Sequence, residues 1–458
     1  MKAIKSFRFR LYPDEEQADI IRQHGGTVRF VWNKLVEFSK EYKEKNGKFP
    51  TQGILQKEIV KIKCANDFVK LPHSQPIQIN AQKLSRTIVK AFSRENKAAR
   101  AKKIAIATAK KDKKAIAKAL DYAFPKFKKK SSNTDSIFYP QNFKIRRSRI
   151  FFAKIGWVKF IRSAELIGTP KTVSIQQDGD QWYCCITSNV RVKTVEKKPV
   201  AESNIVGIDL GLKDFAVLSD GTVIKNPKQL KKHLDKLRRE SRRLSRKIRK
   251  PTGKTTKSGK AITEYSNNGN KQVNKINRLH RKIRNIRNDF LHKISHHIIT
   301  TYDGVAIEDL DIKAMMKDNS KAMNRNTCDA SWYEFGKMLD HKSLWYSKYF
   351  VKIDRYAKST QRCNNCGSIQ KMELRNREYI CPVCDARQPR DFNSSLNVKD
   401  DGIEILLQRE TEEKARVVAI KAEKNTVGTT EINACGDVPV GTSLKQEQNL
   451  PNYTAKVV

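Results

Sequence analysis

The sequence predicts a multidomain α/β protein, and three observations lead to this prediction. Apolar and basic residues alternate with a period of two over residues 3–12, and strand patterns return only at 137–193, after a long helical stretch. Beyond residue 200, short apolar runs that end in acidic residues are separated by long basic helices. The chain has 458 residues, which is enough for two to four domains.

The first half is expected to be a small β-domain interrupted by helices. In the stretch "AQKLSRTIVKAFSREN" the apolar residues have the spacing of one helix face, and an Ala/Lys-rich helix follows over residues 97–122. That helix could be a solvated surface arm or an RNA-binding face, and its composition leaves both open. Between 137 and 193 the strands include a hairpin whose turn is Asp178-Gly179-Asp180. We therefore expect a helical domain inserted into the first connection of a β-domain.

The second half begins with a buried strand, a turn and another strand within residues 203–224. Two long basic helices then have apolar residues three and four apart, which predicts an antiparallel helical hairpin joined by a flexible polar connection at 251–270. A further buried strand, a helix with a capping-box spacing from Ser331 to Glu334, and a strand at 350–356 follow. Periodicity is lost after residue 399, which predicts a disordered tail.

The charge of the chain points to a polyanionic partner. Lys and Arg number 93 against 48 Asp and Glu, a formal net charge of +45, which favours binding to nucleic acid through counterion release. No apolar run is long enough for a membrane span, and the first residues lack the apolar core of a signal peptide. We expect a cytoplasmic protein without a membrane partner, whose nine cysteines are thiols or metal ligands.

Four cysteines have the spacing of a zinc site. Cys363, Cys366, Cys381 and Cys384 form two C-x2-C pairs separated by fourteen residues. Each pair turns the chain so that both thiolates face one side, and two pairs complete a tetrahedral Zn²⁺ site. Four protein ligands leave no open position, so one structural zinc ion is predicted. The other cysteines are expected to be core residues or free thiols.

Three acidic residues are candidates for a second metal site. Asp209 and Glu308 each end an apolar run, and Asp391 lies just beyond the last cysteine pair. If they converge, their hard oxygen ligands suit Mg²⁺, and a pair of such ions assists phosphodiester hydrolysis. From spacing alone, an acid at a strand end is more often a turn or cap residue than a metal ligand. His292 and His296 lack the glutamate of a zinc-peptidase motif, and no phosphate-binding loop motif is present.

Five stretches resemble successive blocks of the TnpB family of transposon-encoded RNA-guided nucleases. They are "GIDLGLKDFAVLSDG", "VAIEDLDIKAM", "DASWYEFGKML", "STQRCNNCGS" and "RDFNSSLNV". The resemblance covers residues 1 to about 400 in the family's order. It departs from the usual pattern at four positions, none of which is a candidate metal ligand. These positions are Asp385, where glycine is usual, Pro389, where aspartate is common, and Ser394 and Ser395, where alanines are usual.

The resemblance implies an architecture. It is an RNase H-like RuvC nuclease domain with an inserted zinc ribbon, plus a small β-barrel wedge domain that carries an inserted α-helical recognition domain. The implied boundaries are 1–13 for the first wedge strand, 14–124 for the recognition domain, 125–199 for the wedge, 200–358 for the nuclease with its basic hairpin at 229–298, 359–388 for the ribbon, 389–400 for the last nuclease block and 401–458 for the tail.

The resemblance also implies a function, that of a Mg²⁺-dependent endonuclease that pairs a guide RNA with double-stranded target DNA beside a short flanking motif. By motif position, Asp209, Glu308 and Asp391 match the family's metal-binding acids, which implies catalysis with two Mg²⁺ ions. A nuclease-independent RNA-guided DNA-binding regulator and a DNA transposase are the alternatives.

Three polar residues are candidates for contacts with nucleic acid. Gln78 and Gln82, in the segment 75–94, are candidate readers of the flanking motif, and Arg390 is a further candidate for nucleic-acid binding. A single chain on one guide RNA is the favoured assembly.

Overall fold

The computed structural model describes residues 2–109, 111–129, 136–191, 196–247, 249–255, 261–317, 319–373 and 376–426. The chain divides into two compact units, Met1–Val192 and Lys193–Val458. Each unit has its own buried apolar core. Within the described ranges, no helix is both long enough and apolar enough to cross a membrane.

The first unit is built on a seven-stranded antiparallel sheet. Its strands are β1 Lys2–Tyr12, β2 Ile137–Tyr139, β3 Phe143–Ile145, β4 Arg149–Phe152, β5 Gly156–Ile161, β6 Thr169–Asp178 and β7 Gln181–Arg191. They are arranged in the order β2-β6-β7-β1-β5-β4-β3. The first strand pairs with β7 and β5, so the prediction that the N-terminal strand joins those after residue 137 is confirmed. In this described sheet no ladder joins β2 to β3, so the predicted barrel is not closed by hydrogen bonds.

Helices occupy the connection between β1 and β2. They are α1 Glu15–Asn46, α2 Gln52–Ala65, α3 Ser74–Ala91, α4 Arg94–Ala109 and α5 Lys113–Leu120. The first helix begins with a capping box between Asp14 and Gln17 and ends at Gly47, whose φ of 68° is readily adopted by glycine. The single helix predicted over residues 97–122 is wrong. Two helices occupy this segment, and the chain turns between them at Lys111, which has a φ of 51°.

The second unit contains a five-stranded mixed sheet. Its strands are β8 Ile205–Leu210, β9 Asp214–Leu218, β10 Val223–Lys225, β13 Gly304–Glu308 and β14 Tyr349–Ile353. Two further strands, β11 Arg249–Thr255 and β12 Ala261–Tyr265, pair with each other outside this sheet. The sheet order is β10-β9-β8-β13-β14. The first three strands form an antiparallel meander, and β13 runs parallel to both of its neighbours.

Helices cover this sheet. They are α6 Gln229–Ser245, α7 Asn267–Thr301, α8 Ile312–Met315, α9 Lys321–Ala330, α10 Trp332–Tyr346 and α11 Arg390–Thr426. Helices α7 and α10 share a core with β8, β9 and β13, and α11 shares another with β8, β13 and β14. Packing on both faces explains why the central strands read as continuous apolar runs. Two short strands pair with each other: β15 Glu378–Ile380 lies between the two cysteine pairs, and β16 Arg387–Pro389 lies between the second pair and α11.

Three predictions for the second unit are corrected. The basic helices α6 and α7 do pack against each other, through Leu237, Leu279 and Ile283, but their connection holds the β11–β12 ladder instead of a flexible loop. Ser331 has a φ of 54° and makes no side-chain cap, so the predicted capping box is absent from this described helix. The tail predicted to be disordered from residue 401 continues α11 as far as Thr426, and the last predicted nuclease block at 389–400 is mostly the first part of that helix. Residues 427–458 lie outside the described part.

Candidate active site

Two of the predicted acids lie at one edge of the five-stranded sheet. Asp209 is near the end of β8, and Glu308 is the last residue of β13. These strands are parallel neighbours, and Ile208 pairs with Ile307. Asp209 and Glu308, the next residue of each strand, are therefore side by side. Because parallel strands end at the same edge, the fold brings Asp209 and Glu308 together.

The third acid is delivered by α11. Asp391 is in the first turn of this helix, which passes directly over β8. A Cβ added to Gly207 would overlap the Ser395 carbonyl oxygen, so only glycine allows so close an approach. One turn along the helix from Asp391, the Ser394 hydroxyl donates a hydrogen bond of 3.2 Å to Asp209 Oδ1. This contact ties the helix to the end of β8.

The acids influence one another electrostatically. Burial is the largest cause that raises the pKa of Asp209, followed by the negative charges of Glu308 and Asp391. Together they bring it to about 7, against the hydrogen bond from Ser394. Burial also raises the pKa of Glu308, although the Ser359 hydroxyl donates a hydrogen bond to Glu308 Oε1. The three carboxylates therefore form a partly buried cluster of negative charge, which a divalent cation would stabilise.

The charge on Asp391 is balanced by arginine. Arg390 Nη2 and Nε lie 2.8 Å and 3.0 Å from Asp391 Oδ1, and Arg377 lies 3.9 Å from Oδ2. The Arg390 side chain is only 12% exposed and also donates to the Asn376 carbonyl. Its structural contacts are thus within the chain, and its predicted contact with nucleic acid stays a prediction.

The spacing of the carboxylates bears on the number of metal ions. Among the described residues, the four cysteines are the set of three or more possible ligands whose atoms all lie within 4.8 Å of one another. The three acids are more widely spaced than that. The oxygen-only donor set suits Mg²⁺, and the three carboxylates together are spaced more widely than the ligands of a single ion.

The four cysteines converge as predicted. Cys363 Sγ lies 3.7 Å from Cys384 Sγ, and Cys366 Sγ lies 3.5 Å from Cys381 Sγ. Zn–S bonds of about 2.3 Å in a tetrahedron require sulfur atoms about 3.8 Å apart. The four thiols therefore fit a single tetrahedral Zn²⁺ ion with no open position.

The two cysteine turns differ in the residue that follows them. Gly367 has a φ of 77°, and Asp385 has a φ of 54°. The second position thus has the left-handed conformation for which glycine is usual, but it is occupied by aspartate, one of the side chains that tolerates this region. The departure noted at Asp385 therefore leaves the turn intact.

The four cysteines together with strands β15 and β16 are called the cysteine unit below. A buried asparagine attaches this unit to the start of α11, a contact that was not expected from the sequence. Asn393 is fully buried. Its Oδ1 accepts hydrogen bonds from the Asn364 backbone N–H at 3.0 Å and from Gln388 Nε2 at 2.7 Å, and its Nδ2 donates to the Arg362 carbonyl at 2.7 Å. Asn393 is two residues from Asp391. The zinc-binding loop and the third acid are therefore held by the same turn of helix.

A second buried asparagine extends this connection to Glu308. Asn397 Nδ2 donates to the carbonyl oxygens of Ser359 and Arg362, each at 2.7 Å. Ser359 in turn hydrogen-bonds Glu308. Arg362 is fixed at the same place by an ion pair of 2.6 Å with Asp401. The sequence signal for this network is the pair of asparagines four residues apart on one helix face, in a stretch otherwise suited to burial.

The remaining predicted residues lie elsewhere. Gln78 and Gln82 are four apart on the outward face of α3, in the first unit, and their predicted contact with DNA stays a prediction. Asp309 is paired with Lys352 at 3.1 Å and with Arg355 at 2.7 Å. His292 and His296 belong to no metal-ligand cluster among the described residues.

Three family models match the chain. Residues 187–319 match a family described as "Probable transposase", and 332–398 match one described as "Cas12f1-like, TNB domain". Residues 1–48 match a "Helix-turn-helix domain". In the structure this last segment is strand β1 and one continuous helix α1.

Curated relatives decide the family. The "Putative RNA-guided DNA endonuclease InsQ" of Escherichia coli (strain K12) is 31% identical over 425 residues, which cover 89% of this chain and 94% of the relative. The chain belongs to the TnpB family. A "Putative RNA-guided DNA endonuclease" of Streptomyces pristinaespiralis is 27% identical, covering 87% of this TnpB-family chain and 89% of the relative. The resemblance inferred from the five sequence blocks is confirmed.

Solved structures similar to this TnpB-family chain share little sequence with it. A structure titled "Structure of the mini-RNA-guided endonuclease CRISPR-Cas_phi3" has a TM-score of 0.42 and 12% identity, covering 88% of this chain and 92% of that chain. A "Cryo-EM structure of the Cas12f1-sgRNA-target DNA complex" has a TM-score of 0.31 and 14% identity, covering 87% and 99%. Family membership therefore rests on the sequence relatives.

Proposed function

We propose that the chain is an RNA-guided DNA endonuclease that hydrolyses phosphodiester bonds of target DNA. The single observation that carries the proposal is the placement of Asp209, Glu308 and Asp391 on two parallel strand ends and one helix start. Burial there, together with the charges of Glu308 and Asp391, raises the pKa of Asp209. Membership of the TnpB family and the formal charge of +45 support nucleic acid as the substrate.

Each part of the fold has a role in this proposed function. The five-stranded sheet with its helices is the RNase H-like RuvC nuclease domain, and the cysteine unit is its zinc ribbon. The seven-stranded sheet is the wedge domain, and α1 to α5 form the recognition domain. The antiparallel meander followed by two parallel strands supports the first assignment, and the strand β1 separated from β2 by helices supports the second.

The acids are proposed to hold two Mg²⁺ ions. When bound, Mg²⁺ activates a water molecule for attack and neutralises charge on the leaving oxygen. The chain's own residues keep the carboxylates in position. Ser394 holds Asp209, Ser359 holds Glu308, and the pairing with Arg390 orients Asp391. Bound cations would neutralise the charges of Glu308 and Asp391, which raise the pKa of Asp209. Asp209 would then lose its proton readily at neutral pH.

The partners follow from this assignment. A guide RNA, held through its backbone by basic surfaces, pairs with one strand of double-stranded DNA in the cytoplasm, and one chain binds one RNA. The outward face of α3, which presents Gln78 and Gln82, is proposed to read the short flanking motif in the DNA.

The test begins with the RNA that co-purifies with the protein. It is sequenced, and cleavage of matching DNA is measured with Mg²⁺ and with EDTA. We expect Mg²⁺-dependent cutting that is lost in Asp209→Ala, Glu308→Ala and Asp391→Ala, whereas RNA binding persists in all three. Asp289→Ala is the matched control, because Asp289 is an exposed acid whose partner is Lys293 on the same helix. Cutting by Asp209→Ala at the rate of the unaltered protein would contradict the metal assignment.

A transposase is the second candidate, because one matching family is described as "Probable transposase". A transposase would join DNA ends without guide RNA, and an RNA-guided regulator would bind matching DNA without cutting it. Strand-transfer products that form without RNA would support the first alternative. Guided binding with no cleavage by the unaltered protein would support the second.

A further inference from the structure

A cavity lies beside Glu308, and neither Asp209 nor Asp391 lines it. Its volume is about 690 Å³, and it extends between the end of β13 and the start of α10. Leu310 and Ile312 contribute apolar wall, and Trp332 and Tyr333 contribute aromatic wall. Arg355 stands at the polar side. The cavity thus combines aromatic, apolar and cationic surface next to one end of the acid cluster.

The two aromatic residues of α10 have opposite environments. Trp332 is buried in the core below the cavity, and its indole N–H has no acceptor among the described residues. Tyr333 is 58% exposed, although the adjoining wall is apolar. Lys337, one turn along the helix, places its ammonium group 4.5 Å from the centre of the Tyr333 ring. A large exposed aromatic surface in a cavity wall is the kind of feature that stacks on a planar ligand.

Three further features keep the cavity open to an anionic ligand. Gly336 lies in its wall and has no side chain to fill it. Two aspartates also line the cavity: Asp309 forms ion pairs with Lys352 and Arg355, and Asp311 forms one with the same Arg355. Lys313 adds a further positive charge at the wall. Phosphate groups approaching this side of Glu308 therefore meet little uncompensated negative charge.

We propose that this cavity binds an unstacked nucleobase of the DNA strand being cut, with the base lying against the Tyr333 ring. The inference rests on the proposed function, because it places the base next to a phosphate that the proposed Mg²⁺ ions would hold beside Glu308. A nucleobase is planar and largely apolar on its faces, and its sugar-phosphate would extend toward the cationic side of the cavity. Stacking on tyrosine tolerates any base, so the site would position the strand without reading its sequence.

The direct test uses 2-aminopurine, an adenine analogue whose fluorescence is quenched by stacking. After the cut position has been mapped, the analogue is placed at successive nucleotides around it in target DNA. The DNA is bound to the RNA-loaded full-length Asp209→Asn protein, which holds the strand without cutting it. We expect one nucleotide within two positions of the cut at which the bound analogue is quenched more strongly by this protein than by the same protein carrying Tyr333→Ala. The alanine variant is the reference because neighbouring bases already quench the analogue in free DNA. Quenching that is unchanged in Tyr333→Ala, or absent at every position, would overturn the proposal.

Cleavage kinetics separate this proposal from the function on which it rests. Removing one stacking side chain costs about 5- to 150-fold, so kcat/KM should fall by that factor in Tyr333→Ala and stay unchanged in Tyr333→Phe. An abasic nucleotide at the quenched position should remove the difference between the two variants. Tyr346→Ala is the matched control, since Tyr346 is an exposed tyrosine of the same helix that contacts His296 outside the cavity. Cutting that Tyr333→Ala leaves unaffected would refute only the cavity, whereas guided binding with quenching but no cutting would refute only the nuclease.

Discussion

Asn393 attaches the cysteine unit to α11, so we expect its substitution to impair cleavage although Asn393 is not a metal ligand. Asn393→Ala removes one acceptor and one donor from a fully buried side chain. The Arg362 carbonyl keeps the hydrogen bond from Asn397 Nδ2, so it stays satisfied. The Asn364 backbone N–H and the Gln388 side-chain amide both lose Asn393 Oδ1 as their acceptor.

The magnitude follows from these contacts. A buried donor left without an acceptor costs about 1–3 kcal/mol, and an ordinary lost hydrogen bond costs about 1 kcal/mol. The free energy that holds the cysteine unit against α11 should therefore fall by about 2–4 kcal/mol. If cleavage requires this docked arrangement, the cleavage rate should fall by up to about 30- to 1,000-fold, at 1.4 kcal/mol per tenfold.

The assay is single-turnover cleavage by protein already loaded with guide RNA, together with filter binding of the RNA. We expect slow cleavage and unchanged RNA affinity for Asn393→Ala. Gln408→Ala serves as the control, because it deletes an exposed amide on the same helix whose partner is Glu404. Cleavage by Asn393→Ala at the rate of the control would refute the idea that the cysteine unit positions Asp391.

Three further predictions concern the same region. The raised pKa of Asp209 means that the charged form of this carboxyl is destabilised in the folded state. Without metal, its contribution to stability is therefore lost as the pH rises from about 4 through about 7. Asp209→Asn should raise the melting temperature more at pH 8 than at pH 5, and equal shifts at both pH values would contradict this. Cys381→Ser should lower zinc, measured by mass spectrometry, below one ion per chain and slow cleavage with RNA binding retained, and full activity without zinc would contradict a positioning role. Gly207→Ala should force α11 away from β8, lowering the free energy of unfolding by about 1–3 kcal/mol in a denaturant titration, and an unchanged midpoint would show that the contact is not tight.

The sequence predicted the parts of the fold that are encoded locally. Strand β1 and the runs before Asp209 and Glu308 were recognisable because their apolar residues are contiguous or alternate within a few positions. The cysteine pairs were recognisable for the same reason. The continuation of α11 was missed because its buried face consists of Val398, Gly402 and Leu406, one of which is glycine. Gly402 is there because an added Cβ would overlap Ala306, a contact that only the folded sheet creates.

The partners of the acids could not be predicted from local pattern. Ser359 and Asn397 are 38 residues apart, and Ser394 lies 185 residues from Asp209. Nothing in either neighbourhood indicates which distant group each will meet. The capping box at Ser331 failed for a related reason, because this residue ends α9 as well as preceding α10 and adopts the left-handed conformation that the double role requires.

The most direct measurement is anomalous X-ray scattering from crystals of the RNA-loaded protein soaked in Mn²⁺, a cation that takes the same oxygen ligands as Mg²⁺. Two difference peaks bounded by the carboxylates of Asp209, Glu308 and Asp391, and lost in Asp209→Ala, are the predicted result. Manganese bound elsewhere, with the three carboxylates free of metal at a concentration that supports cleavage, would contradict the two-metal site.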